Sequence, residues 1–268
     1  MHPDKRTLTT ASVEIKTLFR RLAALAAKVL QELIFFVYPP VCAGCAQAMY
    51  TEDPEPFCPD CLKSLDLISW PHCPVCGIPY CTDTPPLHLC GDCLAGVHYF
   101  DRARAAGLYK GLLREVIHRF KYGGQTFLVR PLVTMLIPPA KELISLHQID
   151  LIVPVPLHAK RLRQRGFNQA SLLAGRLGSA VKLPVQYSTL KRSRWTEPQS
   201  GLTRSQRAAN VKGAFHLTTA SETRKKGILL LDDVLTTGET VNQCVRVLKR
   251  DGGAREVVVL AVARTVPF

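Results

Sequence analysis

The sequence predicts an α/β protein: a parallel sheet flanked by helices, preceded by a small domain held together by metal. Three observations predict it. After residue 100, apolar runs alternate with helical patterns, which is the signature of a sheet whose strands are joined by crossover helices. The stretch ILLLDDVLTTGET, residues 228–240, runs an apolar strand into two aspartates and a Thr-Thr-Gly turn. Four Cys-x-x-Cys pairs fall between residues 42 and 93.

Residues 1–38 come first and read as an amphipathic helical extension. Leu18, Leu22, Leu25, Val29, Leu33 and Phe36 recur at helical spacing, and Arg20, Arg21, Lys28 and Glu32 interrupt the apolar run. That interruption keeps the run below the roughly 18 residues a membrane span needs. It also breaks the uniform middle of a signal peptide. A packing helix or one lying on a membrane surface is expected, ended by Tyr38-Pro39-Pro40.

Residues 39–99 follow, with Cys42 and Cys45, Cys58 and Cys61, Cys73 and Cys76, and Cys90 and Cys93 as four knuckles. Twelve residues separate the first two knuckles and thirteen the last two. Each knuckle turns tightly enough to bring two thiolates to one ion, and two knuckles supply the four sulfurs of tetrahedral zinc. Taken in sequence order, the knuckles hold two structural zinc ions, although spacing alone also permits crossed pairs. A closed four-sulfur site has no open position for water or substrate, so zinc catalysis is not expected. His72, Cys81, His88 and His98 are spare donors nearby.

Residues 100–268 carry the α/β pattern. Strands are expected at 103–109 and 149–153, helices at 112–122 and 127–146, the second interrupted at Pro138-Pro139. Pro154-Val155-Pro156 closes the second strand, a long basic helix follows over 159–177, and 185–190 can form another strand. Residues 191–213, KRSRWTEPQSGLTRSQRAANVKG, have little periodicity and read as a long mobile loop; loops of that length are usually functional. The chain of 268 residues, 47% hydrophobic, can bury a full core, and its formal net charge of +14 favours anionic partners such as phosphorylated metabolites, nucleic acid or acidic lipid.

The chemistry concentrates in the stretch quoted first. Val241, Cys244, Val245 and Leu248 fall on one helical face, so Thr236–Thr240 is a strand-to-helix turn. Free N–H groups and the helix dipole make such a turn a phosphate site, with Gly238 allowing close approach and Thr236, Thr237 and Thr240 adding hydroxyl donors. Asp232 and Asp233 at the strand's end suit ribose hydroxyls, or a magnesium ion held through water. Phosphate plus diol describes a ribose 5-phosphate.

ILLLDDVLTTGET resembles the 5-phosphoribosyl 1-pyrophosphate motif of the type I phosphoribosyltransferases. Together with the Cys-x-x-Cys ribbons, RGFNQ at 165–169 and RAANVKGAF with Arg207, Asn210 and Phe215, it is similar to the ComF family of competence proteins, over about residues 39–265. The resemblance implies a type I phosphoribosyltransferase-like domain behind a double zinc ribbon. It places the sugar 5-phosphate on Thr236, Thr237, Gly238, Glu239 and Thr240 and the ribose hydroxyls on the catalytic acids Asp232 and Asp233. The pyrophosphate then falls near Lys160 and Arg165, with Arg192 and Arg207 reaching in from a hood over 191–213. Glu239 is awkward there, because its carboxylate repels phosphate unless it points outward. The basic residues of 159–177 can equally be a solvated helix face. The resemblance further implies magnesium with the pyrophosphate, single-stranded DNA and the DNA-uptake machinery as partners, and a cytoplasmic protein with peripheral contact at the inner face of the membrane. Two functions stay open: a transferase, or a DNA-binding or metabolite-sensing module that keeps the pocket. Trp195, among Lys191, Arg192 and Arg194, is either a stacking surface for a base or a packing residue of the hood.

Overall fold

The computed structural model describes residues 20–30, 33–34, 36–50, 55–80, 88–195 and 211–266. The first nineteen residues, Cys81, Arg207 and Asn210 lie outside that set. The chain forms two compact units, Met1–Glu55 and Pro56–Phe268.

In the first unit, residues 20–30, 33–34 and 36–37 are helical, and Leu25, Val29, Leu33 and Phe36 are exposed. No helix among the described residues is long and apolar enough to cross a membrane. The helix leads to a tight hairpin in which Cys42 N–H donates to Gln47 O and Ala46 N–H to Cys42 O, both at 2.9 Å.

The second unit is built on four parallel strands. β1 (Arg102–Leu108), β6 (Glu256–Arg264), β5 (Gly227–Leu235) and β2 (Leu151–Pro154) lie in that order across the sheet. Ile228–Leu231 and Val257–Ala263 are wholly buried, as expected of strands covered on both faces. The helices α1 (Gly111–Tyr122), α2 (Val129–Leu146), α4 (Gln169–Val181) and α5 (Glu239–Arg250) bury apolar faces and supply the cover, while the short α3 (Ala159–Arg165) has no buried residue. Residues 66–68 run antiparallel beside β1, with Leu108 N–H donating to Asp66 O at 2.8 Å and Ile68 N–H to Ala106 O at 3.0 Å, which closes that sheet edge.

Three elements differ from the sequence expectation. α2 runs unbroken through Pro138 and Pro139, because Leu132, Leu136, Ala140 and Leu143 keep one buried stripe that holds both sides of the prolines in place. The basic helix divides in two: Gly166 ends α3 in the left-handed conformation at φ 79°, and Asn168 restarts the chain by accepting from Ala170 N–H at 3.0 Å. Residues 185–190 give only a bridge from Val185 to Ile152. The strand proper, β3 (Leu190–Arg192), pairs antiparallel with β4 (Phe215–Leu217) in a separate ribbon.

Candidate functional site

The knuckles are a structural repeat. Cys73 N–H donates to Ile78 O and Gly77 N–H to Cys73 O, the same two-bond hairpin seen at Cys42. The second knuckle of each ribbon caps a one-turn helix, Pro59–Lys63 after Cys58 and Gly91–Leu94 after Cys90. The sulfurs of Cys73, Cys76, Cys90 and Cys93 lie within 4.8 Å of one another, so this ribbon pairs in sequence order, leaving Cys42, Cys45, Cys58 and Cys61 as the other set. No disulfide occurs among the described residues. Burial pushes the Cys73 thiol up, but backbone N–H groups of Cys90, Cys76 and Val75 outweigh it and bring it down to about 6, favouring the thiolate that zinc requires. The four-thiolate donor set fits structural zinc.

A cleft of about 980 Å³ opens across the carboxyl ends of the four strands, where Tyr109, Val155, Leu235 and Thr265 follow or end β1, β2, β5 and β6. Open α/β sheets bind ligands at this edge. Among the described residues, five cations, Lys121, Lys160, Arg161, Arg165 and Arg192, face two carboxylates, Asp232 and Asp233, so this lining favours an anion.

β5 extends further than its apolar run and carries both aspartates inside the strand. Asp233 N–H donates to Asp232 Oδ1 at 2.8 Å, and Lys121 Nζ sits 2.8 Å from Asp233 Oδ1. Burial, then the Asp233 charge, push the Asp232 carboxyl up to about 7 against the opposing pull of Lys121. Burial works to lower Lys121, yet Asp233 overrides it and holds the ammonium above the ordinary lysine value. The chain then turns at Gly238, which precedes α5 in the left-handed conformation at φ 80°. A Cβ there would meet nothing nearer than 3.9 Å, so glycine is required by the backbone angle rather than by crowding. Thr236, Gly238 and Thr240 line the cleft. Thr237 and Glu239 do not, and the buried Thr237 hydroxyl has no hydrogen-bond partner among the described residues. α5 is anchored by Asn242, which accepts from Tyr99 N–H at 2.9 Å and donates to Val97 O at 2.8 Å.

The opposite wall holds the other residues singled out from sequence. Arg165 lies 4.8 Å over the Tyr122 ring and donates to Gln169 Oε1 at 3.2 Å. Arg192, ending β3, rests 5.3 Å over Phe215 and lines the cleft. Trp195 stands at the rim with Lys160 at 4.7 Å and Arg161 at 5.4 Å from its ring and His158 edge-on at 5.3 Å. Sequence reading missed Lys121. Its one signal was position: Leu113, Val116, Ile117 and Phe120 are the buried stripe of α1, and Lys121, four residues after Ile117, falls on the same face.

Residues 33–94 match the family model for the double zinc ribbon domain. Competence protein F of Haemophilus influenzae is 33% identical over 214 residues, covering 78% of this chain and 90% of that protein. DNA utilization protein YhgH of Escherichia coli K12 is 32% identical over 197 residues, 72% of this chain and 84% of that one. Among solved structures, glutamine phosphoribosylpyrophosphate amidotransferase from B. subtilis aligns at 20% identity and TM-score 0.29, over 42% of this chain and 22% of that one.

Proposed function

Because the chain belongs to the ComF family of competence and DNA-utilization proteins, we propose that its cleft binds 5-phosphoribosyl 1-pyrophosphate with magnesium and that the protein handles single-stranded DNA during uptake. One observation carries the first half: an acid pair and a helix-capping Gly238 turn stand together in a net-positive cleft at the carboxyl edge of a parallel sheet. In this reading the α5 N-terminus takes the 5-phosphate. Asp232 and Asp233 take the ribose hydroxyls, and Lys160 and Arg165 face the pyrophosphate. Magnesium would accompany the pyrophosphate, with Asp232 reaching it through water, and would neutralise the leaving group if the sugar is transferred. The same pocket also serves a metabolite sensor that performs no transfer.

Calorimetry tests the pocket. 5-Phosphoribosyl 1-pyrophosphate is expected to bind more tightly with magnesium than without, and ribose 5-phosphate more weakly. Gly238→Val forces a β-branched residue to φ 80° and is expected to cost the phosphate turn roughly 1–3 kcal/mol of strain and abolish measurable binding. Wild-type affinity in that variant would leave the turn an ordinary strand-to-helix connection.

A specific observation favours the DNA half: Trp195 sits among Lys160, Arg161 and His158 at the cleft rim, a π-surface surrounded by cations. Single-stranded DNA is expected to bind with an affinity that falls by orders of magnitude as salt rises, because counterion release drives it. Trp195→Ala is expected to lose roughly 1–3 kcal/mol of that binding. Fluorescence anisotropy across a salt series measures both, and an unchanged affinity in the variant makes Trp195 a packing residue of the rim.

A further inference from the structure

The cations of the cleft differ in origin. Lys160, Arg161 and Arg165 belong to α3 and rest against the aromatic rings of Trp195 and Tyr122. Lys121 instead reaches the acid pair from α1, 2.8 Å from Asp233 Oδ1, with both side chains about 15% exposed. Its placement is fixed from behind. Its own carbonyl accepts from Gln169 Nε2 at 3.5 Å, and Gln169, 1% exposed, also takes the guanidinium of Arg165. The acid pair is ordered internally as well, through the Asp233 N–H on Asp232 Oδ1. A divalent ion placed directly on Asp233 would have to displace an ammonium already in contact with it, at a loss that buried charges feel strongly. A sugar hydroxyl meets no such obstacle. It is a neutral donor, and each carboxylate keeps acceptor positions beyond the ones already used.

We propose that Lys121 is the resident cation of the acid pair, standing where a metal otherwise would, so that the diol end of the cleft binds a ribose phosphate with no divalent ion. Magnesium is thereby confined to ligands that bring their own pyrophosphate. The sugar half of this statement rests on the phosphoribosyl reading of the cleft; the metal half does not.

Two measurements on the zinc-loaded, full-length protein test the two halves separately. In a paramagnetic titration with manganese(II) alone, wild type and Lys121→Arg are expected to show no site at the acid pair. Lys121→Gln is expected to gain one, tighter by roughly tenfold or more than any residual manganese binding of wild type, since two facing carboxylates relieved of the ammonium in contact with them attract a divalent ion, and Lys121→Gln/Asp233→Asn to lose it again. In calorimetry with ribose 5-phosphate, wild type is expected to bind equally in chelator and in magnesium. Lys121→Gln is expected to bind roughly tenfold more weakly in chelator and to recover with magnesium. A wild-type affinity that rises about tenfold with magnesium overturns the proposal, as does a folded Lys121→Gln with no new manganese site. Should Lys121→Gln fail to fold, wild type and Lys121→Arg still decide, because magnesium-dependent sugar binding in both refutes it. A new manganese site in Lys121→Gln with no sugar binding in wild type keeps Lys121 as the counter-cation and removes the phosphoribosyl reading instead.

Discussion

Cys76→Ser is expected to remove one zinc ion and to destabilise the sheet with it. The ribbon of Cys73, Cys76, Cys90 and Cys93 is part of the α/β core. Cys73 and Cys76 are buried in one cluster with Phe100, Val257 and Val259. Ala103 N–H in β1 donates to Val75 O at 2.7 Å. Two buried arginines reach back from the sheet, Arg264 to Cys76 O and Arg104 to Pro74 O. Gly77 lies so close to β1 that a Cβ would come within 2.7 Å of Ala103 O. A structural zinc site supplies about 10–16 kcal/mol in isolated peptides, as much as the roughly 5–15 kcal/mol that holds a whole domain folded. Cys76→Ser should therefore lower the melting temperature of the sheet by more than about 10 °C. Cys45→Ser removes a ligand of the other ribbon, none of whose cysteines belongs to that core cluster, and should lose one ion and leave that transition in place. Elemental analysis with differential scanning calorimetry separates the two. A Cys76→Ser protein that loses zinc and melts like wild type would show that the ribbon merely leans on the sheet.

Asp233→Asn is expected to destabilise the fold as well as the ligand site. Taking the charge from Asp233 leaves the Lys121 ammonium, about 15% exposed, without the carboxylate it contacts at 2.8 Å. Breaking a buried pair from one side is typically worth about 3–5 kcal/mol, because the remaining charge stays desolvated. The double variant Lys121→Met/Asp233→Asn removes that charge and should recover a large part of the loss, a coupling of roughly 1–3 kcal/mol in a double-mutant cycle read by urea unfolding. Additive losses would mean that the pair is solvated in practice and stabilises little. The expectation also bears on experiments, since a binding defect in Asp233→Asn alone mixes lost recognition with a loosened fold.

The parts of this molecule that were legible in the sequence are those with a period or a fixed spacing. β5 with its two aspartates, the buried face of α5 and the eight cysteines announce themselves by order along the chain, and the parallel α/β class follows from them. The pairing of Cys73, Cys76, Cys90 and Cys93 needed coordinates, because spacing permits crossed sets. Local rules failed where tertiary packing decides: Pro138 and Pro139 break most helices, but the buried stripe of α2 carries through them. They failed in the other direction at Gly166, where one left-handed residue divides a periodic basic pattern. Lys121 was illegible as a site residue because its partner is more than a hundred positions away, and only the folded chain brings the end of α1 to Asp233. Glu239 looked obstructive by sequence adjacency, yet it does not line the cleft.

The order of strands also sets a timetable for the ribosome. β6 lies between β1 and β5 in space, yet it is the last of the six strands to be synthesised. β1 pairs with it through Arg102 opposite Val258 and Gly107 opposite Ala263, so the first strand made must wait for the final one before it has a parallel neighbour. Pairings this distant along the chain are slow to form and leave strand edges bare in the meantime. During that interval the parallel sheet can gather only β2 beside β5, with Leu151 on Ile228 and Val153 on Leu230. The cysteines of residues 73–93 emerge well before the surface they pack on. Local metal capture therefore gives the early part of the chain a fold of its own while the sheet is still incomplete, and the Leu65–Ile68 segment covers the outer edge of β1, so that only the inner edge stays bare until β6 takes it.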